Sequence, residues 1–382
     1  MSFTNWLSER VPLSFQTSGS AVRPMFKKRV RPAQRRFSPV IEYLESRSML
    51  SAIPVTSAVD DVSQRGTLRY AVAHAQSGDT ILLAAALQST GITLTQGELL
   101  LSQTGLTIKS AGNASVTISG NSISRVFEVA GGADVTLSNV LITGGNGQAG
   151  IPGRPHELRG GGILVDELST LTIKSSTVTS NSTAVLGGGI ADYGTLSVKN
   201  STVSDNHALG TYGGGIAVFS GAPFSAPLSA TLTVSDSTLS NNTALQNGGA
   251  IGSSSSTVTV RDSMLSGNST AVYDGGAIAN SGSGTLTVTG CTLSDNVAAG
   301  NGGGIASFGT AVIRDSTLSG NTAAQNGGGI LIGNVGMATI NNCTVSGNSA
   351  ISSGGGIANF GTSTVSGSNL SGNEVSEGGA GG

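Results

Sequence analysis

"NTAAQNGGGI", residues 321–330, places an Asn, a variable gap, a run of glycines and an Ile in a fixed order. Nearly the same phrase stands at 296–305, NVAAGNGGGI, and at 348–357, NSAISSGGGI. A chain that keeps a few positions and varies those between them is repeating one structural unit. The pattern therefore predicts a solenoid, in which each unit stacks on the one before it.

Two columns of residues set the period of the repeat. The Ile after the glycines recurs at steps of 27, 26, 35, 27, 27, 25 and 27 residues. Apolar residues also stand three and eight positions before each Asn, and Thr or Ser alternates with them, which indicates short β-strands with one buried face. The Ile column is Ile163, Ile190, Ile216, Ile251, Ile278, Ile305, Ile330 and Ile357. The structural Asn column is Asn181, Asn206, Asn242, Asn268, Asn296, Asn321, Asn348 and Asn373.

A period of roughly 26 residues with about three short strands fits one turn of a parallel β-helix. We predict an all-β, right-handed parallel β-helix of about ten coils over 91–382, stacked about 4.8 Å apart. Stacked Asn side chains can bond to one another at a turn, as in ladders of amides. The glycines allow positive φ and leave room for the next coil.

Residues 52–90 form a different unit, which we predict to be a cap made of a short helix and a strand. Apolar residues recur at helical spacing over 68–75, a Gly-Asp turn follows, and an apolar strand stands at 81–83. The stretch "TLRYAV", 67–72, followed by "GDTI", 78–81, resembles the CSLREA domain, which reads "SLREAI" and then "GDTI". The resemblance implies that a right-handed parallel β-helix follows.

Residues 1–51 are basic, and we expect them to be a disordered export or targeting segment. Nine of the 19 Lys and Arg residues stand in the first 50 positions. The stretch "RRFSPVIEYLESRSMLS", 35–51, resembles the LEPR-x-LLS amino-terminal motif of large exported proteins in planctomycete-type bacteria. The matching residues are Leu44, Glu45, Arg47, Leu50 and Ser51. The resemblance implies a bacterial protein that is secreted or placed on the cell surface.

The repeats themselves also resemble those of a surface protein family. "GGAI" at 248–251 and 275–278, followed by an Asn-bearing strand, is similar to the repeats of polymorphic outer-membrane proteins. That resemblance implies an adhesin-like setting at the surface.

Carboxylates that could support catalysis are few. Polysaccharide lyases and glycoside hydrolases need clustered carboxylates, with a cation near the sugar. Between 168 and 373 the chain has no Glu, and Asp236 and Asp262 share a column on neighbouring coils beside Arg261. These three residues are the candidate catalytic set. Solvated surface charge at a strand end is the alternative interpretation, and a cation bridging the two carboxylates is another.

An insertion at 145–162 contains the densest charge of the repeat region, and insertions in solenoids often bind ligands. Its candidate binding residues are Arg154, His156, Glu157 and Arg159, and a flexible solvated loop without a ligand is the alternative interpretation. Glycine-rich calcium repeats need an Asp inside the glycine run, and these runs contain none, so we predict no metal and no cofactor.

Cys291 and Cys343 both stand five residues before a column Asn, with one whole coil between them. Two coil steps separate their Cα atoms by about 9–10 Å, whereas a disulfide needs roughly 4.4–6.8 Å. We therefore predict two free, buried thiols in a column otherwise filled by Ser.

These features favour a secreted or cell-surface β-helix protein without catalytic activity, adhesin-like or structural. The alternative is a carbohydrate-active enzyme or a polysaccharide-binding module of the pectate-lyase-like superfamily. Polysaccharide or matrix components are the expected partners. The net charge of −2 gives no global attraction for nucleic acid, and no apolar run is long enough for a transmembrane helix.

Overall fold

The regular coils pass through the same series of short parallel strands, which stack into four sheets. The structure is a computed structural model that describes residues 52–147, 158–220, 229–376 and 381. The predicted basic segment, 1–51, lies outside the described residues, as do 148–157 of the insertion at 145–162 and the stretch 221–228. Within the described residues sheet A has twelve strands, sheet B eleven, sheet C ten and sheet D eight. About eleven coils are therefore present, and the predicted all-β parallel solenoid is confirmed.

The strands of sheet A are the longest, and half of them end in an exposed polar residue. They are Ala52–Val55, Thr80–Leu83, Thr104–Ser110, Asp134–Ser138, Thr170–Lys174, Thr195–Lys199, Thr231–Ser235, Thr257–Arg261, Thr285–Thr289, Thr310–Arg314, Met337–Asn341 and Thr362–Ser366. The strands of sheet B are Ile92–Thr93, Val116–Ser119, Val140–Thr143, Thr177–Thr179, Thr202–Ser204, Thr238–Ser240, Met264–Ser266, Thr292–Ser294, Thr317–Ser319, Thr344–Ser346 and Asn369–Ser371.

Most strands of sheet C begin directly after a glycine run, and sheet D follows the column Asn. The strands of sheet C are Leu99–Leu101, Phe127–Val129, Ile163–Val165, Ile190–Asp192, Ile216–Phe219, Ile251–Ser254, Ile278–Ser281, Ile305–Ser307, Ile330–Ile332 and Ile357–Asn359. The strands of sheet D are Ser182–Thr183, His207–Ala208, Thr243–Ala244, Ser269–Thr270, Val297–Ala298, Thr322–Ala323, Ser349–Ala350 and Glu374–Val375. The prediction of three strands per coil was incomplete, because sheet D adds a fourth strand that is too short to show an alternating pattern.

The columns read from the sequence are the registers of these sheets. Ile305 of sheet C pairs with Ile278 before it and Ile330 after it, and all three side chains are fully buried. Alternate residues along each strand point inward, so the Ile, Val and Leu columns form one continuous core.

The corner between sheets B and D contains the Asn ladder. Asn268 is fully buried, and its Oδ1 accepts hydrogen bonds from the backbone N and from Nδ2 of Asn242 at 3.0 Å each. Its own Nδ2 donates to Asn296 Oδ1 at 2.9 Å and to the carbonyl of Leu239 at 2.9 Å. The same pattern joins every column Asn from Asn181 to Asn373. These contacts give the column a structural role in holding successive coils together.

The glycine run satisfies two different steric demands. Gly275, the first glycine of its run, has a φ of 71°, in the left-handed region that side chains rarely adopt. Gly276 has ordinary φ, but a Cβ there would lie 2.3 Å from the carbonyl oxygen of Gly303 on the next coil. The first glycine therefore turns the chain, and the second lets neighbouring coils approach closely.

The corner between sheets A and B contains a ladder made of Ser and Cys. The backbone N of Cys291 donates to Ser316 Oγ at 3.1 Å, and its Sγ donates to the carbonyl of Thr289 at 3.2 Å. Cys343 makes the same bonds with Ser368 and Asn341. Both thiols are free and buried, as predicted, and burial raises the pKa of each.

The amino-terminal part of the described chain contains the helix α1, Leu68–His74, and a 3₁₀ turn, Ala85–Gln88. Thr67 caps the helix, because its side chain accepts a hydrogen bond from the backbone N of Tyr70. Arg69 forms an ion pair with Asp60 at 2.6 Å, and Asp60 also accepts from the backbone N of Thr95 and Gln96. A short helix and a strand thus precede the regular coils. Arg69, in the stretch 67–72, connects them to the first coil by donating to the carbonyls of Gly97 and Glu98.

Candidate functional site

Five exposed cations occupy one column of sheet A, close to the carboxyl ends of its strands. We call them the cation row: Lys109, Lys174, Lys199, Arg261 and Arg314. Strand pairing connects their positions through an unbroken register, with Ser138, Ser235 and Thr289 in the coils between them. The structure describes nine Lys and Arg residues, so more than half of them share this single column.

The geometry of the row follows from the pleat of the strands. Each of these residues comes directly after an inward-pointing core residue, as Lys174 follows Ile173, and so its side chain points to solvent. Seven coil steps separate the Lys109 position from the Arg314 position, which is about 34 Å along the solenoid axis. Within the described chain, none of the five makes an ion pair with a carboxylate.

A second column, one residue further along the chain, contains the predicted catalytic carboxylates. Asp236 and Asp262 stand on neighbouring coils and line a shallow groove of about 430 Å³, with Gly290 on the following coil. Their φ angles are 52° and 48°, in the left-handed region that Asn, Asp and Gly adopt most readily. Asn200 and Asp315 occupy the same column with the same backbone conformation. The turn therefore gives a conformational reason for Asp at these positions.

The groove continues along the cation row on the other side of Asp236. Lys174, Ser175, Lys199 and Asn200 line this part of it with Asp236, in a volume of about 460 Å³. Here the left-handed column holds the neutral residues Ser175 and Asn200, so no acid follows either lysine along the chain. At Arg261 and Arg314, by contrast, an Asp follows each cation. The edge is consequently most positive around Lys174 and Lys199.

The second predicted site is described only in part. Arg154, His156 and Glu157 lie outside the described residues. Arg159 is described, and its guanidinium lies 5.2 Å from the ring centroid of Tyr193 and donates to the Tyr193 hydroxyl. Its carbonyl accepts from Arg125, which forms a fully buried ion pair with Glu98 at 2.6 Å. Arg159 is thus part of the packing between coils.

Asp192 is a buried carboxyl with no charged neighbour in its own column. Its column in sheet C places Val165 before it and Val218 after it, and its exposure is zero. Oδ1 accepts a hydrogen bond from Gly194 N at 3.0 Å, and Oδ2 has no hydrogen-bond partner among the described residues. Burial raises the pKa of Asp192 to about 8, although the bond from Gly194 opposes the shift. The side chain is closed off from substrate, so we give it no catalytic role.

Across the described parts of the chain, no group of three His, Cys, Asp or Glu residues is placed to hold a metal ion. No described helix is long and apolar enough to cross a membrane.

Comparison with known proteins agrees with this architecture. The model of the family described as "Right handed beta helix region" matches residues 86–265 and 232–375. The chain belongs to this family of right-handed β-helices. A similar solved structure is that of pectate lyase Pel9A, 15% identical with a TM-score of 0.48, over 84% of this chain and 78% of that one. Among curated proteins no match was found.

The cation row was missed in the sequence, although a signal for it exists. In this right-handed β-helix, Lys174, Lys199, Arg261 and Arg314 all stand seven residues before a ladder Asn. Arg261 was singled out as a neighbour of Asp262. That Lys174 and Lys199 occupy the same repeat position as Arg261 was not recognised. The cation row is evident only when the charged residues at equivalent positions of successive repeats are compared, and not when they are counted along the chain.

Proposed function

We propose that this protein is a non-catalytic surface or secreted protein that binds an anionic polysaccharide along the cation row. The observation that carries the proposal is the placement of five exposed cations in one strand register. The export-like stretch at 35–51 and the outer-membrane-type repeats favour the extracellular setting in which such polymers occur.

A straight row of cations complements an extended polyanion better than a compact anion. The stacked strands hold the Cα atoms of the five residues at multiples of about 4.8 Å, so several charges along one polymer can be engaged without a change in the backbone. Single exposed ion pairs contribute little, about 0–1 kcal/mol each, but they add when the positions are held in line. Binding of this kind weakens as salt rises.

The acids beside the row limit the choice of polyanion. Asp262 and Asp315 each follow a cation, and so they dilute the positive potential over the distal half of the row. A densely charged phosphate backbone would find little net attraction there, and the net charge of −2 adds none. A polymer with one carboxylate per sugar and many hydroxyl groups fits this mixed edge better, because the neighbouring Thr, Ser and Asn side chains can bond to hydroxyls.

Affinity electrophoresis of the full chain in gels that contain polygalacturonate or alginate tests the proposal. We expect both polymers to retard the protein, and Lys174→Ala with Lys199→Ala to weaken binding about 5- to 10-fold at low salt. The matched control is Arg65→Ala, an exposed cation outside the row. Equal losses in the control and the double variant would contradict a specific row, and so would unchanged binding in the double variant.

The enzymatic alternative rests on Asp236, Arg261 and Asp262, which meet at the same edge. Release of unsaturated or reducing-end products from acidic and neutral polysaccharides, with and without calcium, measures it directly. Cleavage that Asp262→Ala abolishes would replace the non-catalytic proposal with a carbohydrate-active enzyme. Binding without product release would support the proposal.

A further inference from the structure

A cleft of about 250 Å³ lies on the outer face of sheet C, away from the column of cations. We call it the aromatic–amide cleft, because aromatic, aliphatic and amide side chains line it and none of the lining residues is charged. The lining residues that matter below are Phe308, Leu331, Phe360, Gln325, Asn326 and Asn334. The volume is below the ~300–1,000 Å³ of sites for drug-sized ligands, so the cleft suits a unit the size of a single ring.

The apolar part of the cleft is packed against sheet C and partly open to solvent. Leu331 packs with Ala306 and Ala358 on the outer face of sheet C, and Phe308 packs against them. A Cβ on Gly333 would lie 2.3 Å from the ring of Phe308, so the ring needs a glycine at this position to lie as it does. Phe360 is 52% exposed at the edge of the same surface. An aromatic surface is therefore left partly uncovered by the described chain.

The amide part of the cleft lies at the end of another ladder of side chains. Asn326 Nδ2 donates to Asn301 Oδ1 at 2.8 Å, and Asn301 Nδ2 donates to Asp274 Oδ1 at 2.9 Å. On the next coil the pairing position is Ser353, and Asn326 Oδ1 accepts no hydrogen bond from any described residue. The ladder thus fixes one amide plane at the cleft and leaves its carbonyl oxygen free to accept a further bond. The exposed side chains of Gln325 and Asn334 likewise have no partner in the described chain.

We propose that the aromatic–amide cleft binds a neutral sugar ring of a glycan. A pyranose has an apolar C–H face, whose positive hydrogens complement the negative face of an aromatic ring. Its hydroxyl groups both donate and accept, as amides do, so Asn326, Gln325 and Asn334 can satisfy them without a net charge. A charged ligand would find no countercharge here, and an apolar peptide would leave these amides covered and unpaired.

This site is separate from the proposed binding of an anionic polymer, because it uses residues on the outer face of sheet C and no cation. The two proposals therefore fail independently. Lys174→Ala with Lys199→Ala should leave neutral-glycan binding unchanged, and variants of the cleft should leave retardation by polygalacturonate unchanged.

The test is binding of the full chain to an array of neutral oligosaccharides, including β-glucans, xylans and mannans, followed by titration with the best of them. We expect Phe360→Ala to weaken binding about 5-fold, by the loss of ring contact. Gln325→Ala should weaken it about 3-fold, by the loss of one hydrogen bond. The matched control is Tyr273→Ala, since Tyr273 is 51% exposed and lies outside the cleft.

Binding that falls in both cleft variants and not in Tyr273→Ala would establish the site. Three results would overturn it: no neutral glycan on the array binds, Phe360→Ala binds as tightly as wild type, or Tyr273→Ala loses as much. Sedimentation of the free protein tests whether a second copy of the chain occupies the cleft instead. Self-association that Phe360→Ala abolishes would assign the cleft to that copy and overturn the glycan site.

Discussion

At the scale of single residues, the corners of the coils explain most of the unusual side chains. Asp236, Asp262 and Asp315 occupy one left-handed position, and Asp205 and Asp295 occupy another. Asn, Asp and Gly tolerate this conformation best, so a chain with many identical corners accumulates them. An Asp repeated in a column of this β-helix is therefore poor evidence of catalysis by itself.

Asp192 could not have been picked out from the sequence, because nothing nearby marks it as buried. It stands where Val165 and Val218 stand on neighbouring coils, and further along the stack the same column holds Ser253 and Asn280. The column therefore mixes apolar and polar residues, and the sequence does not mark an Asp there as unusual. Only the structure shows that its exposure is zero.

Burial of Asp192 predicts a specific dependence of stability on pH. The unfolded carboxyl ionises near its ordinary value of 3.8, whereas burial raises the native pKa to about 8. Between these values the native state keeps a proton that the unfolded state has lost, so stability falls as pH rises, by at most about 1.4 kcal/mol per pH unit. Asp192→Asn stays neutral and keeps an acceptor for Gly194 N, so it should lack this slope.

Urea denaturation at pH 5 and pH 8.5 measures the difference between wild type and Asp192→Asn. The free energy of unfolding of the wild type should fall more between the two pH values than that of the variant. Asp205→Asn is the matched control, because Asp205 is exposed and Asn also accepts its φ of 53°. Parallel pH profiles for wild type and Asp192→Asn would show that the buried carboxyl does not titrate as described.

At the scale of elements, the ladders were predictable where every coil contributes the same residue. The Asn column is unbroken over eight coils, and so its structural role could be inferred from the repeat pattern alone. For the Ser and Cys ladder, the sequence showed only that these residues share one repeat position. Its hydrogen bonds between coils could not be inferred, because Ser also occurs throughout the turns. Sheet D was missed, since two residues cannot show an alternation of period two.

Removing one amide from the Asn ladder should be costly. Asn268→Ala leaves the backbone N and Nδ2 of Asn242 and the carbonyl of Leu239 without their partners in a buried corner. Each unsatisfied buried group costs about 1–3 kcal/mol, part of which local relaxation recovers, so we expect a loss of about 3 kcal/mol in unfolding free energy, measured by urea titration.

Asn341→Ala gives the comparison for this variant under the same titration. The Asn341 amide also bonds to the next coil, to Ser366 Oγ at 2.8 Å, but it is exposed and water can replace the bond. Its loss should stay within about 0.5 kcal/mol. Similar losses in the two variants would mean that the ladder is no stronger than surface hydrogen bonding.

At the scale of the whole molecule, the solenoid is a one-dimensional stack in which each coil contacts its neighbours. The period of the sequence reveals the stack, but it does not reveal what the insertions do, because a segment such as 145–162 has no counterpart in the other coils. The segment before the coils follows no repeat either. It is joined to the first coil by Arg69, which donates to the carbonyl of Gly97, and by Asp60, which accepts from the backbone N of Gln96.

A stack of equivalent coils predicts that one coil can be removed if the cut keeps the register. Deleting residues 276–302 joins Gly275 to Gly303, so that Ile305 pairs with Ile251 and Asn321 follows Asn268 in the ladder. Every sheet then loses one strand and no column is shifted. We expect a folded β-rich protein that is shorter by about 4.8 Å, with one thiol per chain after denaturation, because Cys291 is removed.

A deletion of only 276–288 is the control for the removal of a whole coil, since it removes half a coil and sets inward residues against outward ones. Circular dichroism and urea titration should show a cooperative transition for the first deletion and none for the second. If both deletions unfolded the chain, the coils would not be interchangeable, and the stability of the β-helix would depend on contacts specific to each coil.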